Sequence, residues 1–474
     1  MPSLAKLLTD CTGLALDSRR VAAGNIFFAF PGTSSDGRDY LEQAEAAGAL
    51  AIIAEKNGYS GQAQLKVPVL LMDNLSARIS AIASEYYQYP SRKCRVIGVT
   101  GTNGKTSTTY FLAQVLAHCQ HRCGIIGTLG WGELDHMTAS GLTTPDPIHV
   151  QRALESFVEK QIHYVAMEAS SHALDQHRLA AVEFSSAIFT NFTHDHLDYH
   201  GTMEAYGEAK AKLFEFPSLK QAVINSDDPF SATLKEKAPF AMTYSVKNAK
   251  ADIFAHDIQA TAEGIQAKVV TPWGQSDCFI PLLGEFQLQN ALGVIGCLGQ
   301  YEFSLDDIIA GLATLECVPG RMQRIVRDDK PLVVIDYAHT PDALEHALVS
   351  LRPLTRGKLW VVFGCGGDRD KSKRPEMGAI AAEHADHIVL TNDNPRTELP
   401  AEIIQQIAAA IPAKKKFTQE LDRHLAIQSA VNQAAPDDVI LVAGKGHENY
   451  QIIGETRFNF SDYDCALSLL SSEK

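Results

Sequence analysis

A glycine-rich run that follows an apolar segment contains the residue types that bind phosphate. Gly101 and Gly104 allow a tight backbone turn, and Lys105 and Thr106 follow at the start of a predicted helix. A glycine loop between a strand and a helix N-terminus surrounds an anion with backbone amides, a favourable helix dipole and a lysine. The threonine hydroxyl is suited to bind Mg²⁺. The strict G-x-x-x-x-G-K-[ST] pattern is missed because Val99 occupies the first glycine position. The run predicts a nucleoside triphosphate site, and an ordinary glycine-rich turn is the structural alternative.

Polar residues also follow two further apolar segments that are predicted as strands. Glu168 ends the segment 164–168, and three histidines follow the segment 184–190, namely His194, His196 and His200. Ligands of parallel sheets lie beyond the carboxyl ends of the strands, so both polar tails are expected to border the nucleotide. Glu168 suits Mg²⁺, which prefers oxygen donors. A zinc site is not favoured, because no thiolate accompanies the histidines. The preferred interpretation is that one histidine lies near the metal and the other two make local hydrogen bonds.

The composition is typical of a large cytoplasmic enzyme. For 474 residues, a prior of about 150 residues per domain predicts roughly three domains. The chain has 42 basic and 56 acidic residues and a net charge of −14, which argues against nucleic acid or an anionic membrane as the main partner. No apolar run approaches the ~18 residues of a membrane span, and the N-terminus lacks a signal-peptide pattern. Nine cysteines without a C-x-x-C pair fit a reducing compartment.

The order of predicted strands and helices indicates an α/β protein in three parts. Residues 1–88 form a small α/β unit, in which Asn74 is the predicted N-cap of a helix through Tyr87. Residues 89–323 contain the phosphate loop and the largest α/β pattern. An amphipathic helix is predicted over 206–214, and its lysines, Lys210 included, are expected in solvent on sequence alone.

The remaining residues, 324–474, predict a doubly wound parallel sheet. Four apolar segments read as strands, and each ends in a charged loop rich in glycine or proline: 332–336, 358–363, 387–391 and 439–443. In such a sheet the ligand site lies along the edge where the strands end. The loops are therefore expected to form a second binding site.

Six motifs occur in a fixed order along the chain: Thr-Gly-Thr-Asn-Gly-Lys-Thr (100–106), Glu-Ala-Ser-Ser-His (168–172), His-Leu-Asp-Tyr-His (196–200), Asp-Tyr-Ala-His-Thr-Pro (336–341), Asp-Asn-Pro-Arg (393–396) and Gly-Lys-Gly-His-Glu (444–448). In these motifs the chain resembles the Mur ligases of peptidoglycan synthesis along nearly its whole length. The resemblance implies a UDP-sugar-binding domain (1–88), a central ATP-binding domain (89–323) and a Rossmann-like domain that binds the incoming amino acid (324–474).

The resemblance also assigns roles to individual residues. It implies that the uridine nucleotide sugar is bound by Leu16, Ser18, Thr33, Ser34 and Ser35. ATP would be bound by Gly101, Thr102, Asn103, Gly104, Lys105, Thr106, Ser107, Asn290, Arg321, Asp336 and His339. The muramoyl dipeptide would be bound by Thr143, Thr144, Ser170, Gln176 and Arg178, and the amino acid by Arg369, Asp393, Asn394, Pro395, Arg396, Gly444 and Glu448.

The implied activity is an ATP-dependent amide ligation in cell wall biosynthesis, which joins meso-2,6-diaminopimelate to UDP-N-acetylmuramoyl-L-alanyl-D-glutamate through an acyl phosphate. Lys105 and Mg²⁺ would offset charge on the transferred phosphoryl group. Lys210 falls where this family carries an N-carboxylated lysine, which would supply an anionic oxygen ligand to Mg²⁺ beside Thr106, Glu168 and His196. The catalytic residues implied are Lys105, Lys210 and His196. The partners implied are these small molecules, with no nucleic acid or membrane insertion, and a monomer.

The substrate assignment depends on Arg396 and Arg369, whose planar guanidinium groups match carboxylates. Diaminopimelate resembles lysine with an additional distal carboxylate, so an arginine in the Asp-Asn-Pro-Arg motif favours diaminopimelate. The alternatives are an L-lysine-adding homologue, another Mur or folylpolyglutamate-type ligase, and a nucleotide switch that uses ATP only to change shape. Arg396 argues against the lysine alternative, and the loop-rich third part argues against the switch.

Overall fold

The computed structural model describes residues 2–32, 35–59, 61 and 64–471. Its strands are β1 (Gly13–Ala15), β2 (Asn25–Ala29), β3 (Ala51–Glu55), β4 (Val69–Met72), β5 (Arg95–Thr100), β6 (Cys123–Gly127), β7 (Gly130–Glu133), β8 (His136–Thr138), β9 (Tyr164–Glu168), β10 (Phe184–Phe189), β11 (Gln221–Asn225), β12 (Met242–Ser245), β13 (Ile253–Ala260), β14 (Ile265–Thr271), β15 (Gly274–Ile280), β16 (Gln323–Ile325), β17 (Leu332–Asp336), β18 (Leu359–Phe363), β19 (His387–Leu390), β20 (Thr418–Gln419), β21 (Val439–Ala443), β22 (Tyr450–Ile453) and β23 (Thr456–Asn459).

The α-helices are α1 (Leu4–Asp10), α2 (Leu41–Ala46), α3 (Leu75–Tyr86), α4 (Lys105–His118), α5 (Pro147–Glu159), α6 (Ser171–Asp175), α7 (Leu197–His200), α8 (Met203–Ala211), α9 (Ser231–Lys237), α10 (Glu285–Gln300), α11 (Leu305–Leu312), α12 (Pro341–Leu351), α13 (Lys373–His384), α14 (Pro400–Ala408), α15 (Arg423–Gln433) and α16 (Asp462–Ser471). Within the described residues, no helix is long and apolar enough to cross a membrane.

The chain divides into two compact units. The first unit contains residues 1–100, 121–187 and 209–220, and the second contains residues 101–120, 188–208 and 221–474.

In the first unit, β1 to β4 form a parallel sheet in chain order. Its core includes Ile26 and Ile53 on one face, where the apolar side of α3 packs. The first unit also contains β5, β9 and β6, which pair in parallel, and the antiparallel strands β7 and β8 beyond β6. The apolar runs predicted as strands are therefore central strands buried on both faces.

The start of α3 differs from the prediction in one detail. Asn74 occupies the N-cap position, but it adopts a left-handed conformation with φ of 54° and its side chain makes no capping bond. The Glu55 carboxylate instead accepts a hydrogen bond from the Leu75 amide at 2.7 Å. A helix needs an acceptor for its first amides, and here a neighbouring strand supplies it.

In the second unit, β11, β12 and β13 pair in parallel and β13, β14 and β15 pair antiparallel. A separate sheet of the same unit has the order β16-β17-β21-β18-β19-β20, in which β16 alone is antiparallel among its described strands. Alternate residues of a strand face opposite sides of this sheet. Val334 packs with α12, α13 and α14 on one side, and Val333 packs with α15 and α16 on the other. The predicted doubly wound sheet and the α/β fold class are confirmed.

Candidate active site

The glycine-rich run forms the loop between β5 and α4. Gly104 adopts φ of 84°, and a Cβ atom there would lie 2.5 Å from Asn290 Oδ1, so a larger residue does not fit. The Lys105 ammonium donates to the carbonyl oxygens of Gly101 at 2.9 Å and Thr102 at 2.8 Å. The first amides of a helix have no acceptor within it, so the start of α4 offers donors to an anion.

The segment that follows β10 holds this loop in place. Asn191 accepts hydrogen bonds from the amides of Thr102 and Asn103, both at 2.8 Å, through its carbonyl and its side chain. The Thr190 hydroxyl donates to the Asn103 carbonyl at 2.6 Å. Protein groups therefore support the conformation of the loop.

A cavity of about 280 Å³ lies beside the loop. Its walls bring together most residues that the sequence assigned to ATP: Asn103, Gly104, Thr106, Ser107, Asn290, Arg321 and Asp336. They also include residues that the sequence did not single out, such as Phe286 and Lys247. A concave pocket with convergent polar groups is the usual form of a small-molecule site.

Arg321 and Asp336 give this cavity its charge. Arg321 donates to the Thr106 hydroxyl at 3.2 Å, and its guanidinium lies 4.5 Å from the centre of the Tyr337 ring. Asp336 accepts from the amides of Met322 at 2.7 Å and Ala338 at 2.8 Å. Burial raises the pKa of Asp336 to about 6, although the charge of Arg321 opposes this. Asp336 therefore organises the backbone beneath Arg321.

His339 and His196 both lie near Asp195, which the sequence analysis did not assign to the site. The Asp195 carboxylate is 3.5 Å from His196 Nε2 and 3.8 Å from His339 Nε2. Burial opposes ionisation of Asp195, but the charges of His196, His339 and Lys373 prevail and lower its pKa to about 2. Burial lowers the pKa of His339, so its ring favours the neutral form.

Glu168 lies at the end of β9 and is 1% exposed. Its carboxylate accepts from the Thr128 amide at 2.8 Å and from the Thr128 hydroxyl at 3.0 Å. A buried carboxylate is stable when donors surround it, and its remaining lone pairs can ligate a cation. Thr144 lies behind it and donates to the Glu168 carbonyl at 2.6 Å.

The residues assigned to the muramoyl dipeptide converge around this strand end. Thr128 also lies 3.2 Å from the Thr143 hydroxyl. Arg178 donates to the Thr144 carbonyl at 2.9 Å and to Gln176 Oε1 at 3.0 Å. Ser170 is the N-cap of α6, and its amide donates to the Thr144 hydroxyl at 3.2 Å. The structure thus brings together five residues that are dispersed over the sequence.

Lys210 is buried, with 1% of its surface exposed, which corrects the expectation that its helix presents it to solvent. The neighbouring Lys212 on this segment is only partly buried and forms an ion pair with Asp175 at 2.7 Å. Among the described residues there is no group of three or more histidine, cysteine, aspartate or glutamate side chains that could hold a metal ion.

Of the residues assigned to the uridine nucleotide, Thr33 and Ser34 lie outside the described residues. Leu16 packs against the core of the first sheet, and the buried Ser18 donates to Gln43 Oε1 at 3.0 Å. The Ser35 carbonyl accepts from the Gly32 amide at 2.8 Å. These contacts all lie within the first unit and do not test a uridine site. The assignment to uridine stays a prediction.

The loops after β19 and β21 meet in the second unit. Asn394 donates to Glu448 Oε2 at 2.8 Å, and Lys445 donates to the same oxygen at 2.9 Å. At Gly444 a Cβ atom would lie 2.5 Å from Asp393 Oδ2. Lys445 is fully buried and was not assigned a role, although it lies inside the motif 444–448.

Arg369 and Arg396 both lie beside Gly366. A Cβ atom at Gly366 would be 3.1 Å from Arg396 Nη1 and 3.8 Å from Arg369 Cγ. Arg396 donates to the Gly367 carbonyl at 2.7 Å, and Arg369 donates to the Asp368 carbonyl at 3.0 Å. The structure therefore brings together the two arginines that were expected to bind a carboxylate.

Family models match three consecutive regions of the chain. The Mur ligase family catalytic domain matches residues 10–87, the Mur ligase middle domain matches 99–298, and the Mur ligase glutamate ligase domain matches 320–446. These matches support an architecture of three domains, while boundaries at residues 88 and 323 stay predictions.

The chain is also similar to curated proteins over nearly its full length. It is 45% identical to UDP-N-acetylmuramoyl-L-alanyl-D-glutamate–2,6-diaminopimelate ligase of Coxiella burnetii over 464 residues, which cover 96% of this chain and 95% of that protein. It is 47% identical to the protein of the same name from Ectopseudomonas mendocina, and the match covers 95% of this chain and 93% of that protein. A solved structure of a ligase with this name is 37% identical, with a TM-score of 0.69. The match covers 97% of this chain and 94% of that one. The chain belongs to the Mur ligase family.

Proposed function

We propose that this protein is an ATP-dependent ligase that joins meso-2,6-diaminopimelate to UDP-N-acetylmuramoyl-L-alanyl-D-glutamate in peptidoglycan synthesis. Relatives at 45% and 47% identity carry this activity in their names and align with almost the whole chain. The observation that carries the choice of amino acid is that Gly366 lies beside both Arg396 Nη1 and the aliphatic stem of Arg369. Two arginines close to one position suit a substrate with more than one carboxylate.

The reaction must activate a carboxylate, because carboxylates do not react with amines at neutral pH. The γ-phosphoryl group of ATP is transferred to the side-chain carboxylate of D-glutamate, which gives an acyl phosphate and ADP. The amine of diaminopimelate then attacks the acyl carbon, loses a proton and expels phosphate, so that the amide bond replaces the bond to phosphate. Lys105, held over the loop carbonyls of Gly101 and Thr102, is positioned to stabilise charge on the transferred group.

For Mg²⁺ we propose the residues that the resemblance assigns, Thr106, Glu168, His196 and Lys210 as its carbamate. The buried carboxylate of Glu168 provides the hard oxygen donors that Mg²⁺ prefers. Burial of Lys210 supports the carbamate, since an N-carboxylated lysine replaces a buried cation by an anion that a metal can neutralise. The metal would neutralise charge on the phosphates of ATP.

An assay of ADP release tests this function. We expect release that requires the nucleotide-linked dipeptide together with an amino acid, with diaminopimelate preferred over L-lysine. Release that depends on L-lysine would indicate the lysine-adding alternative, and release with a folate substrate would indicate the folylpolyglutamate-type ligase. Hydrolysis of ATP without either co-substrate would favour a nucleotide switch.

A further inference from the structure

Two loops at the ends of neighbouring strands carry the arginines of the amino-acid site. We call residues 364–370, after β18, the Arg369 loop, and residues 393–398, after β19, the Arg396 loop. The distance between the two guanidinium groups depends on how these loops are joined. The contacts that join them use side chains to which the proposed function gives no role.

A buried ion pair connects the Arg396 loop to α13 and to the Arg369 loop. Arg374 is fully buried and donates to both carboxylate oxygens of Glu398, at 3.0 Å and 2.9 Å. The oxygen Oε1 of Glu398 also accepts from the Asp368 amide at 2.6 Å, and Oε2 pairs with Lys371 at 3.0 Å. Arg374 in turn donates to the Gly366 carbonyl at 3.2 Å. Each oxygen of Glu398 therefore accepts from two donors.

A backbone contact and a side-chain contact add a second connection between the same loops. The Gly367 amide donates to the Asn394 carbonyl at 2.9 Å, and the Thr397 hydroxyl donates to Asp368 Oδ1 at 2.8 Å. The approach at Gly367 is so close that a Cβ atom there would lie 1.9 Å from the Pro395 carbonyl oxygen. The two loops thus behave as one piece whose register is set by polar contacts.

We propose that Glu398, through Arg374 and the Asp368 amide, is a positioning residue that fixes Arg369 and Arg396 at the spacing required by an amino acid with a distal carboxylate. This inference rests on the proposed function, because it concerns selectivity at that site. Glu398 can act in this way without contact with the substrate. Its pKa is lowered to about 2, mainly because Arg374 donates to it, so it remains ionised at neutral pH.

The test is Glu398→Gln, which preserves the size of the side chain but replaces one accepting oxygen by a donating NH₂ group. Because both oxygens accept from cationic or amide donors, either orientation of the amide opposes a donor. We expect the KM for diaminopimelate to rise about tenfold or more, as for loss of one charge-assisted hydrogen bond. The KM values for ATP and the nucleotide-linked dipeptide should change less than about twofold, since the ATP residues and the dipeptide residues lie outside both loops. The preference for diaminopimelate over lysine in kcat/KM should fall.

The double variant Glu398→Gln/Arg374→Met separates positioning from stability. The single change leaves the buried Arg374 without its anionic partner, whereas the double change removes that charge, so the Tm should recover at least in part. We expect the KM for diaminopimelate to stay raised in the double variant. Thr397→Val provides a milder test, because Thr397 is exposed and its loss does not threaten folding; we expect a rise of about threefold in the same KM.

A matched control is Arg352→Gln, which breaks an ion pair with Asp386 at 2.7 Å. Asp386 directly precedes β19, so this pair lies at the opposite end of that strand from the Arg396 loop. The control variant should leave the KM for diaminopimelate and the preference over lysine at the wild-type values. The proposal is overturned if Glu398→Gln and Thr397→Val keep the wild-type KM for diaminopimelate, or if that KM returns to normal in the double variant together with the Tm. Failure of the wild-type protein to release ADP with diaminopimelate would instead overturn the proposed function.

Discussion

Replacement of Arg396 by alanine tests the substrate assignment most directly. A guanidinium group has five N–H donors. In the structure Arg396 Nη1 donates to the Gly367 carbonyl at 2.7 Å, which leaves donors for a forked contact with a carboxylate. Arg396→Ala removes that contact and leaves the distal carboxylate of diaminopimelate partly desolvated without a partner.

The size of the effect follows from the energy of such contacts. A hydrogen bond to a charged group contributes about 1.5–3 kcal/mol net, which corresponds to a rise of about 10- to 150-fold in the KM for diaminopimelate. Arg396→Lys retains the charge but not the fork, so we expect it to recover part of this loss. Lysine should remain a poor substrate of the alanine variant, because removal of an arginine does not create a complementary pocket.

Steady-state measurements of ADP release, with each substrate varied in turn, provide the assay. The KM for ATP should change little, since the ATP cavity is lined by other residues. An unchanged dependence on diaminopimelate in Arg396→Ala would show that another group binds the distal carboxylate, and the reasoning from the arginine pair would be refuted.

Three further predictions concern Lys105, Lys210 and His447. Lys105→Ala should abolish ADP release while the far-ultraviolet circular dichroism spectrum stays unchanged; near-normal turnover would contradict the phosphate-loop assignment. Lys210→Ala should be nearly inactive and partly rescued by a short-chain carboxylic acid, whereas Lys212→Ala, at a partly exposed ion pair, should retain turnover. Burial, with Arg321 and Lys445, lowers the pKa of His447 to about 3, so the unfolded chain binds a proton that the folded chain does not as the pH falls from 6.5. Between pH 7 and 5, the free energy of unfolding measured with urea should therefore fall by about 2 kcal/mol less in His447→Gln than in the wild type. An equal fall in both proteins would show that His447 titrates with an ordinary pKa.

The sequence predicted those features that depend on local patterns. The segments 164–168, 332–336 and 439–443 are strands with the predicted bounds, because continuous apolar runs between turn residues indicate central parallel strands. The phosphate loop and the start of α4 were also recognisable, since glycine, lysine and threonine at that spacing have a local structural reason.

Other features depend on neighbours that are distant in sequence. Lys210 was expected in solvent because lysines on a helix are usually solvated, yet the fold buries it. Arg374 and Glu398 carry no local signal of an ion pair, because Arg374 lies on α13 and Glu398 in the loop after β19, and only the fold brings them together. The antiparallel hairpin of β22 and β23, which accepts a hydrogen bond from the Arg396 amide at 3.1 Å, was missed although Gly454 between its strands is a local turn signal.

The joined loops also bear on the entropy of amino-acid binding. A side chain that becomes ordered on binding costs about 0.5–1.5 kcal/mol, and a site that is already ordered avoids this cost. The Arg396 side chain is held by the Gly367 carbonyl, and its backbone is held by the hairpin of β22 and β23. Most of the ordering on binding therefore falls on the flexible ligand, whose chain has several rotatable bonds between its two ends. Ring-constrained dicarboxylates of matching length would consequently bind more tightly than flexible ones with the same charged groups.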